Sequence, residues 1–306
     1  MKKELNIIGH RWIPLTISAI LVAASLVLFF TWGLKLGIDF TGGALLEVKF
    51  TENVPVAADL KASIDQLQIE GEVSVQSTEG NGYIIRLQNT DEAVHQGVLA
   101  KLGETFKGTD AAKPNVYEVR YESIGPAIGA ELRTKSFYTI VAACIFIILY
   151  VAWSFRKVSH PVQSWKYGVA AVIALFHDVI ITVGFFCILG KFFNIDVGVS
   201  FVAALLTILG YSVNDTIVVF DRTRENLMKL PKLTFEAIVN RSINETFGRS
   251  VNTSVTVMIV LLALILLVPG SIQYFALALF FGVFVGTYSS IFLASPLLVI
   301  WEKRGR

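Results

Sequence analysis

The sequence predicts a bundle of six membrane-spanning helices with a small α+β domain inserted after the first. Composition points there first. Of 306 residues, 54% are hydrophobic and 16% charged, with a mean hydropathy of +0.63; soluble domains carry about 25% charged residues. Six apolar runs are long enough for a bilayer, which takes about 20 residues: Ile13–Trp32, Phe137–Phe155, Tyr167–Leu189, Val197–Phe220, Val251–Val268 and Tyr274–Trp301. Between the first two lies a segment whose pattern is that of a water-soluble domain.

The first run follows a basic start, "MKKELNIIGHR". Its apolar stretch exceeds the roughly 7–15 residues of a signal peptide, and no small-x-small site closes it, so it reads as an uncleaved anchor. Lys and Arg flank alternate ends of the runs. Lys2, Lys3 and Arg11 precede the first, and Arg156, Lys157 and Lys166 join the second to the third. Arg222, Arg224, Lys229, Lys232, Arg241 and Arg249 join the fourth to the fifth, and Lys303, Arg304 and Arg306 close the chain. The links "GKFFNID" and "PGSIQ" hold Lys191 alone. The positive-inside rule then puts both termini in the cytoplasm. The expected order is a cytoplasmic N-terminus (1–12), helix 1 (13–32) and an extracytoplasmic domain (33–134). Helices 2 to 6 follow (135–301), with a cytoplasmic loop at 221–248, and then a cytoplasmic tail (302–306).

The extracytoplasmic segment has nine basic residues against fifteen acidic, a net of −6 inside a chain of net +2. "ALLEVKF" alternates as a strand does. "VAADLKASIDQLQ" spaces Val56, Leu60, Ile64 and Leu67 as a helix does. "EVSVQST" and "YIIRLQN" flank "EGNG", a hairpin signal. "DEAVHQGVLAKLGETF" repeats apolar residues at Val94, Val98 and Leu102, a second helix with His95 expected on its surface. "VYEVRYESI" is a last strand. The order βαββαβ is that of a ferredoxin-like domain. No catalytic set is visible in it. No Arg/Lys cluster interleaves with aromatics, so nothing suggests a nucleic-acid surface. Cys144 and Cys187 lie inside spans and read as small apolar packing residues.

Polar residues interrupt the spans in three places. His177 and Asp178 fall mid-way along the third. Asp215, beside Ser212, Asn214 and Thr216, falls in the fourth, with Thr207 and Tyr211 on its face at i−8 and i−4. Arg249 opens the fifth, and Asn252, Thr253 and Thr256 follow it at i+3, i+4 and i+7, one polar helix face. The fourth span and the fifth run antiparallel, so Asp215 and Arg249 are expected to meet in the cytoplasmic half. A charge inside a span costs about 2.5–3.5 kcal/mol on insertion scales. The bland reading is a structural ion pair or, for Arg249, snorkelling to the interface. The functional reading is an ion relay, because a carboxylate in a dry place holds a proton and releases it when an arginine approaches. For His177–Asp178 the two readings stand level.

Three motifs in order, "GIDFTGG" (Gly37–Gly43, with Asp39, Gly42 and Gly43), "SIGPAIGAEL" (Ser123–Leu132, with Gly125, Pro126 and Gly129) and "GYSVNDTIVVFDRTREN" (Gly210–Asn226), resemble the SecF family. These are the small membrane subunits of the bacterial SecD–SecF accessory complex, similar to half of an RND-type transporter. The resemblance spans essentially the whole chain. It implies a bacterial inner-membrane protein that helps preproteins complete passage through the SecYEG channel after SecA has acted, driven by the proton-motive force. It implies SecD as obligate partner, alongside SecYEG, other accessory membrane subunits and the emerging preprotein. It makes Asp215 the proton-linked carboxylate and Arg249 its fifth-span arginine, with His177, Asp178, Asn214 and Asn252 as secondary candidates. The motif glycines and Pro126 flank the outer domain and read equally as tight turns or as a hinge. No cofactor and no enzyme activity is expected; the coupling ion is H⁺, with Na⁺ as the alternative a carboxylate also serves. The rival functions are a small-molecule RND exporter subunit and a scaffold or receptor without ion coupling.

Overall fold

The computed structural model describes residues 5–78, 80–109, 114–154, 163–268 and 270–303. Lys2, Lys3, Phe155, Arg156, Lys157, Arg304 and Arg306, used above, and Glu79 of the hairpin signal lie outside the described residues. The chain forms two compact units: one of residues 36–136, the other of residues 1–35 and 137–306.

Helix α1 (Trp12–Thr31) is mostly apolar and carries no charged residue, with Pro14 in its first turn, where a missing N–H costs nothing. The inserted unit then runs α2 (Ile38–Thr41), β1 (Gly43–Phe50), α3 (Ala57–Asp65), β2 (Ser74–Thr78), β3 (Gly82–Leu87), α4 (Glu92–Thr105) and β4 (Val116–Ile124). Its sheet has the antiparallel order β2-β3-β1-β4. This is the ferredoxin-like topology that the sequence pattern predicts. Alternate residues of β1 (Ala44, Leu46, Val48, Phe50) face a core completed by Ile85 and Leu87 of β3, Leu60 and Ile64 of α3, and Val98 and Leu102 of α4. Val56 and Leu67, expected on the core face of α3, are exposed at its two ends.

His95 departs from expectation. It is buried, its ring stacked on Tyr121 at 3.8 Å, between Glu92 (3.0 Å) and Glu118 (3.1 Å). The reason is spacing: His95, Val98 and Leu102 sit at i, i+3 and i+7, so the histidine shares the buried stripe of α4.

The start and end of this unit touch backbone to backbone. A Cβ on Gly42 (φ +74°) would stand 2.7 Å from Pro126 Cα. A Cβ on Gly129 would stand 2.8 Å from Gly42 N. The motif glycines are thus required by close approach, and at Gly42 also by a positive φ.

Next comes α5 (Pro126–Ser154), whose residues from 137 on belong to the second unit, and then α6 (Ser164–Phe193), α7 (Val199–Lys229) and α8 (Phe235–Leu267). The last span is α9 (Ser271–Ser289), a π-helical turn (Ser290–Ala294) and α10 (Ser295–Lys303). With α1 these give, among the described residues, six helices long and apolar enough to cross a membrane. About half of each central window is buried in α6, α7 and the last span, against 6% in α5, 11% in α1 and 17% in α8, so the first three form the centre. Their core packs Tyr167 and Ala174 of α6 on Phe220 and Leu209 of α7 and on Ile291 and Leu298 of the last span.

The expected loop at 221–248 is almost entirely helix. α7 continues to Lys229 and α8 starts at Phe235, capped by Thr234 Oγ1, which accepts from Ala237 N. Only a short turn containing Pro231 remains. Charge ended the apolar runs without ending the helices. The pairs Glu225–Lys229 and Arg241–Glu245 support the extensions at i,i+4, and Arg222 bridges to Glu245 at 2.6 Å across the hairpin.

Both chain ends converge on the start of α8. Glu236 binds Arg11 at 2.5 Å and Lys303 at 2.6 Å. Asn240 and Asn244 exchange hydrogen bonds with the backbone of Leu5, and Asn240 also accepts from Ile8 N.

The π turn has a local cause. Pro296 brings no N–H to the carbonyl of Phe292 and its ring would crowd that carbonyl. The chain widens by one residue, and Ser295 Oγ donates to Ser290 O five residues back at 3.1 Å.

Candidate functional site

Asp178 sits midway along α6 and is fully buried. Its Oδ1 pairs with His177 Nδ1 at 2.9 Å. Its Oδ2 accepts from Ser212 Oγ of α7 at 2.5 Å and from Ser289 Oγ of α9 at 2.8 Å. Gly286, one turn before Ser289, leaves room for this: a Cβ there would come within 3.1 Å of Ser212 Cβ and 3.5 Å of Asp178 Oδ2. With Asp178 ionised, Nδ1 of His177 carries the shared hydrogen, and Nε2 is the bare nitrogen. That Nε2 is buried and has no hydrogen-bond partner among the described residues. The ring lies along Tyr288 at 6.3 Å, and Tyr288 Oη donates to Pro14 O of α1 at 2.8 Å.

Asp215 is half-buried, about one turn beyond Ser212 along α7 in the direction of its charged end. Ser250 Oγ of α8 donates to its Oδ1 at 2.6 Å, and Ser290 Oγ of the π turn donates to its Oδ2. A polar ladder continues beside it: Tyr211 Oη to Ser254 Oγ at 3.0 Å, and Ser254 Oγ to Thr287 Oγ1 at 2.5 Å.

Arg249 is not part of this arrangement. The expected Asp215–Arg249 contact is replaced by one to Ser250. Successive residues of a helix point about 100° apart, at 3.6 residues per turn, so only one of the two can face α7. Arg249 is exposed, together with Asn252, Thr253 and Thr256 on the same face of α8, and Asn214 and Thr207 are exposed on α7.

Sequence reasoning singled out both carboxylates and noticed Ser212. It missed Ser250, Ser289 and Ser290. The signal for the last two was a doublet of hydroxyls, "TYSS", in an otherwise apolar span. Of the motif residues, Asp39 lies in the first turn of α2 and Gly37 precedes it. Gly42, Gly43, Pro126 and Gly129 lie at the junction described above, and Gly125 has open space around its Cα. Among the described residues no group of three or more His, Cys, Asp or Glu side chains is placed to hold a metal ion.

The family described as protein export membrane protein SecD/SecF, C-terminal, matches residues 104–304, and the SecD/SecF GG motif matches residues 27–54. The protein translocase subunit SecF of Thermobaculum terrenum is 41% identical, over 98% of this chain and 95% of its own. That of Anaerolinea thermophila is 39% identical, over 98% and 94%. The crystal structure of SecDF, a translocon-associated membrane protein from Thermus thermophilus, superposes with a TM-score of 0.84 at 33% identity. The match covers 99% of this chain and 39% of that one. A super-membrane-facing form of SecDF superposes with a TM-score of 0.69. The half-transporter of six spans, the domain inserted after the first and the full-length likeness to translocase subunits together place this chain in the SecF family.

Proposed function

We propose that this chain pairs with a SecD partner and couples ion flow, H⁺ before Na⁺, to the late, SecA-independent stage of preprotein passage through SecYEG. Asp215 is the carboxylate that loads and unloads. The observation that carries this reading is the setting of Asp215: a half-buried carboxylate in a span, held by hydroxyls from two other helices and, among the described residues, by no cation. Hydroxyls serve both protonation states, since each donates to a carboxylate and accepts from a carboxylic acid. A structural ion pair would have put a cation there.

The exposed polar face of α8 supports the partnership. Arg249, Asn252, Thr253 and Thr256 on a lipid-facing surface would be costly, and a second half-transporter covers such a face. On this reading Arg249 approaches Asp215 in another conformation or acts from the partner's interface. Convergence of both chain ends on Glu236 agrees with an even number of spans, and the basic residues gathered there support a cytoplasmic side for that end by the positive-inside rule.

The test is Asp215→Asn in sealed vesicles carrying SecD, SecYEG and SecA. Translocation stimulated by an imposed pH gradient falls to the level of vesicles without a gradient, and ATP-driven translocation persists. Full stimulation in the Asn variant would leave the scaffold reading standing. An imposed Na⁺ gradient in place of the pH gradient decides the ion.

A further inference from the structure

We propose that the His177–Asp178 pair is a second proton-binding site of this half-transporter, linked to Asp215 through the consecutive serines Ser289 and Ser290. The inference rests on Asp215 being the coupling carboxylate, but it concerns a different group and has its own readout.

The pair is built as a site. His177 and Asp178 are each more than nine-tenths buried, and the carboxylate accepts three hydrogen bonds from three helices. With Asp178 ionised and His177 neutral the pair carries a net charge of −1. The facing elements do little to offset it. α1 brings Ser18 and α7 brings Ser212, with Tyr211 and Asp215 its nearest ionisable residues. The last span brings Tyr288 and Ser289, with Glu302 far along at its end. α5 carries no Lys, Arg, Asp or Glu between Phe137 and Ser154, and its ionisable groups there are Tyr138, Cys144 and Tyr150. On α6 itself the nearest ionisable side chain is Cys187. One proton bound at His177 Nε2 would turn the pair into imidazolium and carboxylate with no net charge. That nitrogen is the one left without a partner among the described residues. His177 lines a cleft of about 330 Å³ between α1 and α6, with Ser18, Val22 and Phe176 among its walls. An uncompensated charge in such surroundings is expensive, and a neutral, hydrogen-bonded pair far less so.

The link to Asp215 lies in the last span. Ser289 donates to Asp178, and Ser290 to Asp215. Each hydroxyl also has an acceptor on its own helix: Gly286 O for Ser289 at 3.1 Å and Thr287 O for Ser290 at 3.0 Å. A hydroxyl has one hydrogen. If Asp215 gains a proton, Ser290 can turn its hydrogen to Thr287 O and accept from the acid. Any shift this makes in the π turn is felt one residue earlier, at the donor to Asp178.

The experiment is ¹⁵N-histidine NMR of the purified complex with SecD in nanodiscs. The His177 resonances are identified by their loss in His177→Gln. They are expected to report conversion of the ring from the neutral to the imidazolium form as pH is lowered. Asp215→Asn is expected to move the midpoint by about 0.5–1 unit, a three- to tenfold change in proton affinity. Ser289→Ala with Ser290→Ala is expected to abolish that displacement and to retain assembly with SecD. A His177 that keeps one charge state throughout overturns the second site. A His177 that titrates indifferently to Asp215→Asn overturns the link. Neither result depends on secretion, so failure here and failure of Asp215 as the coupling residue are read separately.

Discussion

Asp215 on α7 takes a hydrogen bond from Ser250 on α8 at 2.6 Å, and the residue just before that serine, Arg249, turns its side chain out of the unit. A rotation of α8 about its axis would exchange a hydroxyl for a guanidinium at the same carboxylate. Ser250→Ala is expected to weaken the present arrangement by about 1.5–3 kcal/mol, the usual worth of a hydrogen bond to a charged group. Arg249→Ala is expected to abolish gradient-stimulated translocation, and Arg249→Lys to retain part of it. The stimulated rate of each variant in vesicles checks this; a wild-type rate for Arg249→Ala would remove the arginine from the cycle.

Topology is checked by labelling. Cysteines replacing Asn81, in the inserted domain, and Lys232, in the turn between α7 and α8, are expected to react from opposite sides of the membrane. An impermeant outside reagent that modifies Lys232→Cys in sealed cells would invert the assignment.

Gly129→Ala is expected to destabilise the inserted unit by about 1–3 kcal/mol, because the new Cβ meets backbone 2.8 Å away. Gly125→Ala, in open space, is the control and is expected to leave thermal stability within about 0.5 kcal/mol. Equal melting temperatures for the two would refute the close-packed junction. A disulfide across that junction that blocks late translocation without disturbing assembly would add a hinge role to the packing role.

Glu52 ties two loops of the inserted unit together. The hydroxyl and backbone N–H of Thr109 both donate to it, the latter at 2.7 Å, and hold its carboxyl below the usual carboxylate range. A depressed folded value means that the contribution is present above the unfolded value and is lost as pH falls through the folded one. Hydrogen exchange at the Thr109 amide of the full chain, corrected for its intrinsic rate, is therefore expected to speed up only on acidification below the ordinary glutamate range. In Glu52→Gln it is expected to be fast already at neutral pH.

The six spans and the ferredoxin-like order were readable because hydropathy and alternation report burial directly. What could not be read was where helices end once charge begins. Asp221 to Lys229 looks like loop by composition, yet it stays helical through local charge pairs and through Asn226, which donates to Ser242 and Glu245 of α8. The two carboxylates stood out because acids are rare in spans. Their serine partners did not, since a serine in a membrane helix more often bonds its own preceding turn, as Ser254 does to Ser250 O. His95 was misplaced for a related reason: with a stripe of valine and leucine already filling the face of α4, its own place on that stripe carried no separate signal.

The π turn at Ser290–Ala294 amounts to one inserted residue, and Pro296 stands where an uninterrupted α-helix would suffer from it. Insertion and proline therefore depend on each other. Deleting one residue from the turn restores α-helical geometry and exposes the proline's cost of about 3 kcal/mol; replacing the proline removes the reason for the extra residue. Across relatives the two are expected to be gained and lost together, so that a homologue one residue shorter in its last span carries some other residue where this chain has Pro296.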